Sequence, residues 1–136
     1  MTPGSLFWML ATALLLVAAN PLFSASDKPQ NEWPRHRGDP ALNGIARSEL
    51  GNKLSLEWVF DTGDFLKSSV VVAHGLAYIG AESGTLHAID LKNGKEKWSY
   101  KTEMAIEAPP LVEAGQVFAG STDGFLYALD ALTGEL

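Results

Sequence analysis

The sequence predicts an all-β chain, a partial β-propeller of four-stranded antiparallel blades, on three observations. The stretch from Gly84 to Trp98 restarts forty residues later at Gly124, where Gly84/Gly124, Leu86/Leu126, Ala88/Ala128, Asp90/Asp130 and Gly94/Gly134 recur in step. A fixed period near forty residues, rich in turn-forming residues, marks a propeller or a related array. From Leu54 onward the apolar residues follow strand periodicity, in short runs separated by Gly, Asn, Asp and Ser. Trp58 lies forty residues before Trp98, yet nothing before it resembles the first three strands of a blade.

Composition narrows the function classes. The chain has 136 residues, 46% apolar and 19% charged, with a formal net charge of -6. Its ten Lys and Arg residues are scattered, so it lacks the concentrated basic face that binding to nucleic acid needs. With no cysteine, disulfides, thiolate metal sites, Cys nucleophiles and lipid attachment through Cys are excluded. The three histidines are isolated, without ligand spacing. No metal, cofactor or catalytic residue is expected.

Residues 1–26 read as a signal peptide. Leu6 to Ala19 is an unbroken apolar run, shorter than the roughly 20 residues of a membrane span. Ser24-Ala25-Ser26 offers small residues for cleavage, expected after Ser26. No Lys or Arg occurs among the first five residues, so an uncleaved anchor and a buried helix are the alternatives. The expected outcome is an exported chain, periplasmic or extracellular, with no stable membrane span after cleavage.

Residues 27–53 form an N-terminal loop segment, beginning with a flexible lead-in from Asp27 to Asn31. The prolines and glycines of Trp33 to Gly44 oppose helix and strand, so an ordered loop pinned by Trp33 is expected. Arg35, Arg37 and Asp39 suggest either an anion or carboxylate site or, as we favour, a loop held by ion pairs.

Residues 54–61 alternate Leu54, Leu56, Trp58 and Phe60 with polar residues and Val59, as a lone closing outer strand would. Blade 1 occupies 62–101, with strands at Ser68–Ala73, Leu76–Ala81, Thr85–Asp90 and Lys95–Lys101. Incomplete blade 2 occupies 102–136, with strands at Ile106–Glu113, Gln116–Ser121 and Phe125–Asp130. Pro109 and Pro110 limit pairing in the first of these. A fourth strand is absent from the sequence. Two incomplete blades leave apolar faces and strand edges open, so the chain is expected to continue in a longer propeller or to self-associate.

The repeated residues read as architecture. The glycines suit tight turns or close chain approach. Asp90 and Asp130 precede turns, where a carboxylate accepts hydrogen bonds from backbone amides, a better account than a catalytic base or metal ligand. Trp58 and Trp98 offer flat surfaces for the neighbouring blade, and ligand stacking is the lesser alternative. His87 and Tyr127 share one face and suit packing better than ligation. Asp61/Asp64 and Glu103/Glu107 fall in turn-like segments and read as solvated rather than as acid–base pairs.

Ala88-x-Asp90-x-x-x-Gly94-Lys95-x-x-Trp98, with its copy through Ala128, Asp130, Thr133, Gly134 and Glu135, resembles the tryptophan-docking motif of the quinoprotein (PQQ-like) β-propeller repeats. Trp33-Pro34-x-x-Arg37-Gly38-Asp39-Pro40-x-x-x-Gly44 also resembles the start of exported bacterial proteins of this family. The resemblance runs from Trp33 to Leu136. It implies a docking role for Trp58 and Trp98 and two possible functions. The family includes PQQ- and calcium-dependent dehydrogenases and a lipoprotein that scaffolds outer-membrane protein assembly. The vicinal cysteines, a matched calcium set and a lipobox cysteine are missing here. The expectation is therefore a non-catalytic exported scaffold that binds a protein or polymer partner. The alternative is the N-terminal part of a PQQ-dependent periplasmic dehydrogenase.

Overall fold

The computed structural model describes residues 32–46, 49 and 51–136. The expected signal peptide and the lead-in through Asn31 lie outside the described residues. Among the described residues, seven strands form two antiparallel sheets. The first contains β1 (Val71–Ala73), β2 (Leu76–Gly80), β3 (Thr85–Asp90) and β4 (Glu96–Lys101), in that order. The second contains β5 (Leu111–Glu113), β6 (Gln116–Gly120) and β7 (Leu126–Asp130). The all-β fold and the meander order are as the repeat predicts.

Turn chemistry sets the register. His74-Gly75 and Ala114-Gly115 hold positive φ at both central positions, 53° and 74° in one and 50° and 79° in the other. Such a two-residue turn matches the twist of the flanking strands. It places Ala73 opposite Leu76 and Glu113 opposite Gln116. The β3–β4 ladder shifts between Ala88 and Ile89, turning Glu96 towards His87 while Trp98 stays opposite Ala88.

Two features differ from the sequence reading. The first strand of each blade is shorter than expected. Pro109 and Pro110 have no amide to give a ladder, and Ser68 Oγ instead donates to Ala108 O of the next repeat at 3.1 Å. Residues 54–61 form no strand, because no ladder partner faces them among the described residues. Trp58 and Phe60 are half-buried, whereas Leu54 and Leu56 are 76% and 81% exposed.

The core lies between the sheets. Val71, Tyr78, Leu86 and Ala88 of blade 1 and Val117, Ala119, Leu129 and Ala131 of blade 2 are buried in one cluster. Burying a side chain of the size of Leu contributes about 1.5–3 kcal/mol, so this interface is the main joint between the blades. Tyr78 Oη donates to Ala131 O across it at 3.0 Å.

Candidate functional site

Two clasps of the same design join successive units. Trp98 Nε1 donates to Ala131 O at 3.0 Å, and its ring covers Gly134. Trp58 Nε1 donates to Leu91 O at 2.9 Å, and its ring covers Gly94. A Cβ at Gly94 would lie 2.6 Å from Trp58 Cγ, and one at Gly134 would lie 2.7 Å from Trp98 Cδ2. Only hydrogen fits there.

The turns beneath the rings are fixed by carboxylates. Asp90 Oδ1 accepts from the Lys92 amide at 2.8 Å. Asp130 Oδ1 accepts from the Thr133 and Leu132 amides at 2.8 and 2.9 Å. Those two amides hold the Asp130 carboxyl below the usual carboxylate range, since they favour its charged form. Gly94 and Gly134 each return an amide to the carbonyl of that Asp, at 2.8 and 2.9 Å.

Aromatic pairs flank both clasps. Phe60 meets His87, and Tyr100 meets Tyr127, each with ring centroids 5.6 Å apart. His87 Nδ1 also bonds Glu96 Oε1 at 2.6 Å. Tyr127 Oη donates to Asp123 Oδ2 at 2.8 Å, and this bond is the first cause that pushes its hydroxyl up to about 12. Trp58 and Phe60 thus stand towards blade 1 as Trp98 and Tyr100 stand towards blade 2. Leu86 and Ala88 lie inside that joint, whereas Leu126 and Gly124 lie on the open side of blade 2. Gly84 sits against the Met104 carbonyl.

The N-terminal loop straps the blades together at their inner strands. Trp33 and Val72 exchange both backbone hydrogen bonds, at 2.7 and 2.8 Å, while Pro34 O accepts from the Val112 amide at 2.7 Å. Arg35 pairs with Glu113, and Asp39 accepts from Asn43 N and Nδ2 at 3.2 and 3.3 Å. The loop is therefore held by ion pairing and hydrogen bonds. Glu113 could not be paired with Arg35 from sequence, where 78 residues separate them. The Glu96–His87 bond was likewise hidden, since it depends on the β-bulge.

The arrangement binds blade to blade, and most of its polar groups are engaged, Arg35 Nε being buried without a hydrogen-bond partner. Asp61 caps Gly63 through Oδ1 at 2.9 Å, and Asp64 caps Phe65 at 2.7 Å. Glu107 pairs with Lys67 at 3.0 Å, so these carboxylates cap turns or form ion pairs, in keeping with their reading as turn residues rather than acid–base pairs. Among the described residues no three of His, Asp and Glu are grouped to hold a metal. A quinone fits these residues no better: Arg35, the cation at the inner strands, is paired with Glu113.

Comparison with known proteins adds the family. Residues 41–136 match the family described as outer membrane protein assembly factor BamB. The chain is 39% identical over 66 residues to lupanine 17-hydroxylase [cytochrome c] of Pseudomonas sp., covering 47% of this chain and 9% of that protein. It is 30% identical over 102 residues to 1-butanol dehydrogenase (cytochrome c) of Thauera butanivorans, covering 70% of this chain and 15% of the other. The chain thus spans less than a sixth of either curated relative. Quinohemoprotein alcohol dehydrogenase from Comamonas testosteroni matches with a TM-score of 0.66 and 27% identity, over 76% of this chain and 18% of that one. BamB from Moraxella catarrhalis matches with a TM-score of 0.56 and 26% identity, over 60% and 26%.

These relatives correct one expectation. The sequence reading took the chain as no enzyme, from missing cysteines and a missing calcium set. Both curated relatives are enzymes by name, and so is the dehydrogenase that shares its fold. Missing ligands within two blades decide nothing, because the chain spans less than a sixth of these relatives. The matched residues, the blade order and the tryptophan clasps agree: the chain belongs to the PQQ-like β-propeller repeat family described as outer membrane protein assembly factor BamB.

Proposed function

We propose that the chain forms the N-terminal part of the propeller of a PQQ-dependent periplasmic dehydrogenase, one that passes electrons from an alcohol to cytochrome c. The observation that carries this reading is the match to 1-butanol dehydrogenase (cytochrome c) across 70% of the chain. The similarity to lupanine 17-hydroxylase [cytochrome c] supports the same electron acceptor. In this reading the two blades supply wall and alignment. The clasps at Trp58 and Trp98 fix blade spacing, and the Trp33–Arg35 strap fixes the inner strands. Quinone ligands would come from other blades. Leu6–Ala19 with Ser24-Ala25-Ser26 would direct export.

The family description favours a second reading, a protein-binding surface used in outer-membrane assembly. One experiment separates the two. Antibodies against the exposed Lys92–Lys97 turn would isolate the polypeptide bearing this sequence from its source cells. The dehydrogenase reading expects 1-butanol-dependent reduction of cytochrome c in the isolate, with bound quinone in its absorbance spectrum. Outer-membrane assembly proteins without alcohol-dependent reduction would overturn it.

A further inference from the structure

We infer that Asn93-Gly94 is a site of imide-forming modification held closed by Trp58, and that modifying it releases the Trp58 clasp. The inference stands apart from the redox reading, because it uses one turn of blade 1 and the ring above it. The sequence holds two Asn-Gly pairs, Asn43-Gly44 and Asn93-Gly94. Asparagine before glycine is prone to attack by the following amide, since glycine has no side chain to shield it. Asn93 stands exposed in the turn between β3 and β4. Blade 2 has Thr133-Gly134 at the same place, so of the two clasps described here the Trp58 clasp carries the reactive pair.

In the reaction the Gly94 nitrogen bonds to Asn93 Cγ and the Cγ–Nδ2 bond breaks. Nδ2 leaves as ammonia, taking up the proton lost from the Gly94 amide. The five-membered imide then adds one water and opens to aspartate or isoaspartate. The folded turn withholds both reacting groups. Gly94 N donates to Asp90 O at 2.8 Å, and Asn93 Oδ1 accepts from Lys95 N at 2.9 Å. Trp58 holds that arrangement in place: its Nε1 donates to Leu91 O at 2.9 Å, and its ring lies over Gly94. Closing the imide brings Asn93 Cγ onto the Gly94 nitrogen, which breaks the Lys95 bond and moves Gly94 beneath the ring. Reaction therefore proceeds through the opened turn, at a rate set by the population of that opening.

The coupling runs both ways. Isoaspartate carries the main chain through its side-chain methylene, which lengthens the turn by one carbon. A Cβ at Gly94 would already lie 2.6 Å from Trp58 Cγ. A contact too tight for one methyl group does not absorb a longer backbone, so the product favours an undocked Trp58. Asn93 is thus a one-way timer on this clasp, and Thr133 gives the Trp98 clasp no counterpart.

Peptide mass spectrometry tests the gate, reading conversion at Asn93 and Asn43 after the folded full chain is held in mildly alkaline buffer. Asn43 is the internal control, in the N-terminal loop, where Gly44 N donates to Arg37 O at 3.1 Å. Global unfolding speeds both sites, whereas opening of the clasp raises the ratio of Asn93 to Asn43 conversion. Trp58→Ala is expected to raise that ratio roughly tenfold, as a weakened local closure requires. Trp58→Phe, which keeps a ring, should raise it less, and Trp98→Phe should leave it unchanged. A ratio unmoved by both Trp58 variants, or moved equally by Trp98→Phe, would overturn the inference. The isoaspartyl chain, once separated, should also unfold at lower urea than Asn93→Thr, which copies blade 2 and forms no imide. Equal urea midpoints would overturn the release of the clasp. Both readouts are independent of alcohol oxidation.

Discussion

The two blades place one pattern of residues in two surroundings. Their faces on the near side are alike: Ile89 is 5% exposed in blade 1, and its equivalent Leu129 is 0% exposed in blade 2. The far sides differ. Leu86 is fully buried against blade 2, whereas Leu126 is 72% exposed. A Cβ on Gly80 would overlap Ile106, and one on Gly84 would overlap the Met104 carbonyl. Gly120 and Gly124 have nothing within 4 Å of that position. The repeat's small and apolar residues are therefore fitted to the next blade as well as to their own sheet.

The largest expected contrast is between the two leucines. Leu86→Ala should cost about 2–5 kcal/mol, the usual loss for a buried leucine, in chemical denaturation at high dilution. In the 136-residue segment alone, Leu126→Ala should stay within about 0.5 kcal/mol, as exposed sites do.

The clasps come next. Trp98→Phe keeps a ring over Gly134 and removes the indole donor to Ala131 O. A loss of about 0.5–1.5 kcal/mol is expected, the net value of one hydrogen bond. Trp58→Phe should lose a similar amount through Leu91 O if the clasps are equivalent. Urea midpoints of the two variants, compared side by side, would show unequal clasps.

A smaller contrast lies at Tyr78, whose equivalent forty residues on is Phe118. Burial, aided by Asp130 and Glu32, pushes the Tyr78 hydroxyl up to about 12. In the unfolded chain a tyrosine ionises near about 10. The folded state thus retains a proton that the unfolded state releases. This contribution is complete below about pH 10 and is lost as pH rises towards about 12. Tyr78→Phe should remove that part of the alkaline loss while weakening the joint at neutral pH. Absorbance of tyrosinate near about 295 nm, followed with unfolding, reads both effects.

Much of this was legible because strand alternation and turn residues act locally. Asp90 and Asp130, each four residues before a glycine, announce the turns they cap. What stayed hidden depends on partners distant in sequence. Trp33-Pro34 was expected as a pinned loop, but its bonds to Val72 and Val112 follow only once two inner strands lie side by side. Leu54–Asp61 has the alternation of a strand, yet alternation cannot supply the neighbour a ladder needs. Chemistry was least legible of all. The two blades carry two clasps of one design, which serve packing, whereas a reacting site on a propeller axis needs residues from many blades.

The account's central claim is that the next blade, not the sheet itself, dictates the far-side residues of a repeat. Melting the paired variants Gly80→Ala and Gly120→Ala at high dilution tests it most directly. Gly80→Ala should lose about 1–3 kcal/mol through overpacking against Ile106. In the 136-residue segment alone, Gly120→Ala should be neutral or gain up to about 1 kcal/mol, since alanine stiffens an unconstrained strand position. Equal losses at the two glycines would contradict the claim.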